Sequence, residues 1–338
     1  MALIATEWVW RAAVWWMVLA LYGVTGLSAA AERPVVLVIE SYHTEYVWDQ
    51  QYTRALHEAL DAVAELQFFA MDTKRRPAAE HPTRADAAWQ QYLALNPALV
   101  VLADDNALKL LGPRLVGRST PVVYLGINQN PRRYLDLPQP NFSGVLERPF
   151  LKRSIAYLNG VMAQPLKKVL VLFDSGTTSQ TVFQEEFAGK AAQLIGSAVV
   201  QIKLVESETQ WQREVTEAPA NGYDLIVVGL YHTLVDDQGQ HVPEQRVLAW
   251  SGQHSVLPLF CFWAFSVGPG MTAGGLVLDG YDQGKAAATM VREVLAGGQL
   301  PRLPVSPGGD TLLFSRAQLN HWGIQLPERI ARQATLVP

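Results

Sequence analysis

Short apolar runs rich in Val, Ile and Leu recur along the chain and alternate with stretches of helical periodicity. The run over 34–40 (PVVLVIE) has the unbroken apolar character of a strand covered on both faces. A helix is predicted over 49–65, where Tyr52, Ala55, Leu56, Ala59, Leu60 and Val63 form one stripe. Strands over 66–71, 99–103 and 121–125 follow, with helices over 83–95 and, capped by Asp105, over 106–115. After Asn141 the pattern starts again. Strands are predicted over 142–147, 168–173, 199–205, 224–230, 257–261 and 275–278. Helices are predicted over 149–161, 179–194, 208–218, 243–253 (opened by Pro243) and 283–296.

Strands alternating with helices imply parallel sheets, so the expected class is α/β with two Rossmann-like halves. The 338 residues fit two domains at roughly 150 residues each. Ligands of such sheets sit outside the carboxyl ends of the strands. The residues there are Ser41, Tyr42 and His43; Asp72, Thr73 and Lys74; Asp104, Asp105 and Asn106; Asn128; Asp174, Ser175, Thr177 and Thr178; Tyr231 and His232. Trp48, Trp263 and Phe265 add flat surfaces nearby. A polar rim with aromatic faces suits a small organic molecule, although turns are polar in any fold and many of these residues simply cap helices.

Composition narrows the classes. Hydrophobic residues make up 49% and charged residues 17%, enough apolar material for sizeable cores. Lys plus Arg is 27 against 31 for Asp plus Glu, with no basic run, which argues against a nucleic-acid partner. A single cysteine, Cys261, excludes an intramolecular disulfide and a cysteine-built metal cluster, and its place between Phe260 and Phe262 marks it as a core residue. From Ala12 to Ala31 no residue is charged, and the stretch ends in Ser28-Ala29-Ala30-Ala31. We read residues 1–31 as a secretory signal peptide cleaved after Ala30 or Ala31, which places the protein in the periplasm; the competing reading is an uncleaved anchor.

Catalytic signatures do not assemble. Asp174-Ser175-Gly176-Thr177 matches an aspartic-protease pattern, but a second copy is missing from the sequence. Nucleophile-elbow, phosphate-loop and zinc-helix patterns are also missing, and the seven histidines lack ligand spacing. The glycine cluster over 268–275 precedes a strand rather than following one, and is expected to form a flexible crossing between the halves. The expectation is a protein that is not an enzyme and carries no metal or cofactor.

Several stretches together resemble a family of exported ABC-transporter substrate-binding-like proteins, a module also found as the extracytoplasmic sensor part of histidine kinases and diguanylate cyclases. Glu40-Ser41-Tyr42-His43 with Trp48 resembles its NSYHxxYxW opening. Met71-Asp72-Thr73-Lys74-Arg75, Ala103-Asp104-Asp105-Asn106-Ala107, the segment from Pro121 to Asn128, and Gly144-Val145-Leu146-Glu147 follow in the family's order. Gly274-Gly275, Gln283-Gly284-Lys285-Ala286-Ala287 and the segment from Leu319 to Pro327 resemble its closing pieces. The sequence departs at Leu125, where the family has a cysteine or small residue, and at Glu40, where it often has Asn.

The resemblance implies a type I periplasmic-binding-protein fold with three crossings between lobes. One lobe would be 34–145 with 275–298, the other 146–274 with 301–338, and Glu147 would lie at the first crossing. Tyr42 and Trp48 would stack on a solute; Asp105, Asn106 and Asn128 from one lobe, and Asp174, Thr177 and Tyr231 from the other, would make polar contacts. The implied partners are a small molecule, amino-acid-like or aromatic, and the membrane permease of an ABC importer. The alternative is a ligand-sensing module acting on a membrane kinase or cyclase.

Overall fold

The computed structural model describes residues 33–136, 139–307 and 311–338, so the apolar leader read over 1–31 lies outside the described residues. Strand β1 (Val35–Glu40) is the hub of the first sheet, buried from Val36 onward as its unbroken apolar run requires. β2 (Glu65–Ala70) and β3 (Leu99–Ala103) flank it, and β4 (Val122–Ile127) and β5 (Phe142–Leu146) extend the sheet. The order is β2-β1-β3-β4-β5, parallel throughout. Helices α1 (Val47–Leu60), α2 (His81–Leu95) and α3 (Asp104–Leu115) supply the crossovers.

The second sheet repeats the plan. α4 (Leu151–Val161) leads to β6 (Lys168–Asp174), followed by α5 (Thr177–Phe187), β7 (Ala192–Ile195), β8 (Ala198–Val205) and α6 (Glu208–Glu217). β9 (Leu225–Val228), α7 (Glu244–His254) and β10 (Leu259–Cys261) complete it in the order β10-β9-β6-β8-β7. β7 is a correction to the helix expected over 179–194. The helix stops at Phe187 because Ala188 (φ 50°) and Gly189 (φ 68°) turn left-handed, and the chain returns as an antiparallel edge strand on β8.

A third, three-stranded sheet joins β11 (Gly274–Val277), β12 (Thr311–Ser315) and β13 (Thr335–Val337). Between them lie α8 (Gly280–Leu295) and the short helices α9 (Arg316–His321) and α10 (Glu328–Ala331). Gly275–Val277, grouped with the first lobe on sequence, pairs with β12, and Val305 bridges to Val145 beside β5. The glycine cluster is not a crossing either. Val267 bridges to Thr272 in a turn that packs on Gly252 of α7, and Gly274 and Gly275 enter β11. Among the described residues no helix is long and apolar enough to cross a membrane.

Two features place the site. In each sheet the founding strand has neighbours reached by crossovers in opposite directions: β1 lies between β2 and β3, and β6 between β8 and β9. Loops leaving such a pair diverge and open a crevice. Helix α8 then returns against α1, held by Gln51 Oε1 accepting from Gly280 N (3.1 Å), and Gln283 Oε1 accepts from Gly126 N (3.2 Å). The close approach needs glycine at 284, where a Cβ would lie 2.6 Å from Tyr52 O and 2.8 Å from the Ala55 Cβ. Gly284→Val is therefore expected to lower stability by about 1–3 kcal/mol in chemical denaturation, the cost of overpacking a tight core; an unchanged midpoint would contradict this account of the α1–α8 seam.

Candidate functional site

The crevices of the two sheets meet. Tyr42, on the loop after β1, reaches across to Thr178 in the first turn of α5, with 3.2 Å between the hydroxyl oxygens. Around this link lies a small inner cavity of about 10 Å³, room for about one water. It is lined by Tyr42, Tyr46, Trp48, Lys74, Asp104, Glu147, Thr178, Leu230 and Trp263. Next to it opens an outer cavity of about 500 Å³, within the range of small-ligand pockets. Thr73 to Ala78, His81 and Asn106 line one side; Asp174 to Thr178, Thr233, Val235 and His241 line the other.

The inner cavity combines rings with carboxylates. Glu147, just past β5, accepts from Trp263 Nε1 at 2.7 Å and from Asn128 Nδ2 at 3.0 Å. Burial raises its pKa to about 7. Asp104 has a left-handed backbone (φ 67°), uncommon for a non-glycine residue. Its carboxylate fills the space beside Gly126, where a Cβ would come within 2.9 Å of Oδ1; Gly126 itself has φ 68°. Asp104 Oδ2, Trp48 Nε1 and both oxygens of Asp49 are buried without a hydrogen-bond partner among the described residues. Burial raises the pKa of Asp49 and Asp104 well above the usual carboxylate value; repulsion from Glu40 adds to it at Asp49, and repulsion from Asp49 and Glu147 adds to it at Asp104. The Lys74 ammonium lies 4.1 Å from the Tyr42 ring centroid and 4.9 Å from that of Tyr46. Burial lowers its pKa, against the pull of Asp174, Asp104, Asp49 and Glu147.

A wall of rings closes one end. Tyr46 meets His232 at 4.9 Å and Phe265 at 5.8 Å, and His232 stacks on Tyr231 at 4.3 Å. Burial lowers the His232 pKa well below its usual value, with Lys74 adding to it, so the ring is neutral. Among the described residues no group of three or more His, Cys, Asp or Glu side chains is arranged to hold a metal ion.

Comparison with known proteins places this architecture. A family model described as ABC transporter substrate binding protein matches residues 109–337. The chain belongs to the ABC transporter substrate-binding protein family. Members of this family are binding proteins rather than enzymes. Among solved structures, an ABC domain from Streptococcus pneumoniae in complex with L-Trp is 19% identical, with a TM-score of 0.63 over 90% of this chain and 100% of that one. A conserved domain protein from Vibrio cholerae is 16% identical, with a TM-score of 0.65 over 91% and 100%. The open structure of CD0873 from Clostridium difficile, a substrate-binding protein with adhesive properties, is 12% identical, with a TM-score of 0.62 over 90% and 99%. At these identities the likeness is one of fold. A search of curated protein sequences returned no match.

Within this substrate-binding protein the predicted residues divide sharply. Tyr42, Trp48, Asp104, Glu147, Thr178 and Trp263 line the inner cavity, and Asn106, Asp174, Ser175 and Thr177 line the outer one. Ser41 is buried, donating to Ala103 O (2.6 Å) and accepting from Ala107 N (2.8 Å). Asp105 does not cap its helix, which begins at Asp104; it accepts from Asn128 N, Gln129 N and Tyr134 and fixes that loop. Asn128 is held against Glu147, and Tyr231 against Ser266. His43 is buried 3.7 Å from Asp72, and its ring lies 5.8 Å from that of Tyr46. Asp174 borders the outer cavity, but it accepts from Gly176 N, Ser179 Oγ and Thr233 N. Cys261 is buried in the core, which pushes its pKa up to about 12.

Tyr46 is not among the residues the sequence singles out, and Lys74, singled out only as a strand-end residue, carries no role in that reading. The signal was position: Lys74 closes the loop after β2, and Tyr46 precedes α1. The buried carboxyl of Glu147 gives a test. The unfolded chain releases this proton near 4.5, whereas the folded protein keeps it to about 7, so its contribution to stability falls as pH rises through that window. The loss attributable to Glu147 is up to about 3 kcal/mol. His43 and His232, whose pKa values burial lowers, act in the opposite sense, so the quantity to measure is the difference between the parent and Glu147→Gln. That difference should shrink from pH 5 to 7 as the parent loses its advantage; a difference constant with pH would contradict the assignment.

Proposed function

We propose that the protein captures a small organic solute, amino-acid-like or aromatic, between its two parallel sheets outside the cytoplasmic membrane. It then delivers the solute to the permease of an ABC importer. The observation that carries this reading is the meeting of rings and carboxylates at both switch points, beside a cavity of about 500 Å³. In an opened cleft a solute ring would enter between Tyr42, Tyr46, Trp48 and Trp263, which in this closed arrangement enclose room for about one water, and an amine would face Asp104. The L-Trp held by the Streptococcus pneumoniae structure of the same fold supports this class of solute. The apolar leader ending in small residues supports export.

The test is thermal unfolding against amino acids, aromatic amines and acids, nucleobases and sugars. A solute at about a hundredfold over its Kd should stabilise by about 2.7 kcal/mol, a rise of a few degrees for a protein of this size. Tyr46→Ala should weaken that solute tenfold or more, on the scale of about 1.4 kcal/mol for a buried aromatic contact. A library in which no solute shifts the transition would remove the solute-binding reading.

A further inference from the structure

We infer that Lys74 makes closure of the cleft depend on an anionic group carried by the solute, received jointly by the Lys74 ammonium and the first turn of α5. The inference rests on the solute-binding reading above and deepens it, by naming what the solute must carry.

Lys74 is an unspent donor. Lys74 is 9% exposed, and its side chain borders both the inner and the outer cavity. An ammonium has three N–H donors, and a buried one is costly unless they are met. Among the described residues no oxygen takes a hydrogen bond or forms an ion pair with it, and only the faces of Tyr42 and Tyr46 attend it. The neighbouring cations are already paired. Arg75 Nε donates to Asp72 at 2.7 Å and Arg76 Nη1 to Glu80 at 2.9 Å. Of the four carboxylates that attract Lys74, Asp174 is committed to three donors and Glu147 to Trp263 and Asn128, while Asp104 and Asp49 keep unpartnered oxygens that neither accept a hydrogen bond from the ammonium nor form an ion pair with it.

Across the outer cavity stands a second set of unspent donors. No side chain caps α5, which spans Thr177–Phe187, and Thr177 and Thr178 both line the cavity. The amides of such a first turn favour negative charge. Lys74 belongs to the loop after β2 and α5 follows β6, so an anion placed between them bridges the two sheets. Closing the cleft without that anion buries the ammonium with no acceptor. Closing it around a carboxylate satisfies both sides at once. A solute with a ring and an amine but no anionic group would be left outside by the same cost.

The test follows the distance between spin labels at Lys109 and Glu185, exposed positions on α3 and α5, in a Cys261→Ser background. With no solute added, Lys74→Met should raise the closed, short-distance population several-fold over the parent, because the cost of burying the ammonium is gone. Lys74→Gln, which keeps polarity, should move the same way and serves if the Met variant folds poorly. Sodium acetate titrated against sodium chloride at constant ionic strength should close the parent and leave the variant unmoved. An unchanged or smaller closed population in the variants overturns the proposal, since Lys74 would then be neutral or would hold the lobes together through Asp174, Asp104 and Glu147. Equal response of parent and variant to acetate overturns it too. The label readout in the absence of solute does not depend on the solute screen, so a failure here and a failure there are separable.

Discussion

Everything at this site follows from one constraint: two parallel sheets present their switch points to each other, so polar strand ends from both halves must share a single buried seam. Backbone groups at strand ends cannot be left unmet there. Much of the polar chemistry at the seam is therefore structural. Ser41 ties β1's loop to β3 and α3, Asp105 holds the loop after β4, and Asp174 organises the loop after β6 together with Thr233. The inner cavity is lined by residues that those braces position rather than by the braces themselves.

Charge is distributed by the same logic. Burial pushes Asp49 and Asp104 toward their neutral forms and lowers the pKa of Lys74, so the seam holds fewer charges than its composition suggests. Asp49 and Asp104 each hold buried oxygens without a hydrogen-bond partner among the described residues, while the Asp105 brace accepts on both of its oxygens. An unmet buried polar group is costly, and such costs concentrate where a protein meets its ligand. Asp104 adds backbone strain to the account, with its left-handed φ set beside a glycine that leaves room for its carboxylate.

The architecture was legible because buried parallel strands are unbroken apolar runs: β1, β3, β4, β6 and β9 fall where the pattern places them. Edges and tails were less so. β7 carries a mixed pattern that reads equally as the end of α5, and only the Ala188–Gly189 turn separates them. β12 and β13 are short and meet only through long-range pairing. Half of the site was legible through the rule that ligands gather at strand ends. That rule names loops, and cannot say which side chain of a loop turns inward: Ser41 and Asp105 were taken up by braces, whereas Tyr46 and Lys74 in neighbouring loops face the cavity.

Glu147 stands both at a passage between the sheets and at the inner cavity. It follows the last strand of the first sheet, where the chain passes toward the second, and its carboxyl holds Asn128 from one side and Trp263 from the other. Trp263 in turn bridges to Leu278, immediately before the chain returns through Asp279 to α8. Two of the passages between the sheets are thus joined through a single buried side chain that also lines the inner cavity. Rotation about these passages must move the indole against the carboxyl, so the geometry of the ring wall and the angle between the sheets are set together. On the proposed solute-binding reading, a solute beside Glu147 would act on both passages by occupying the site, and no separate relay would be needed to couple binding to closure.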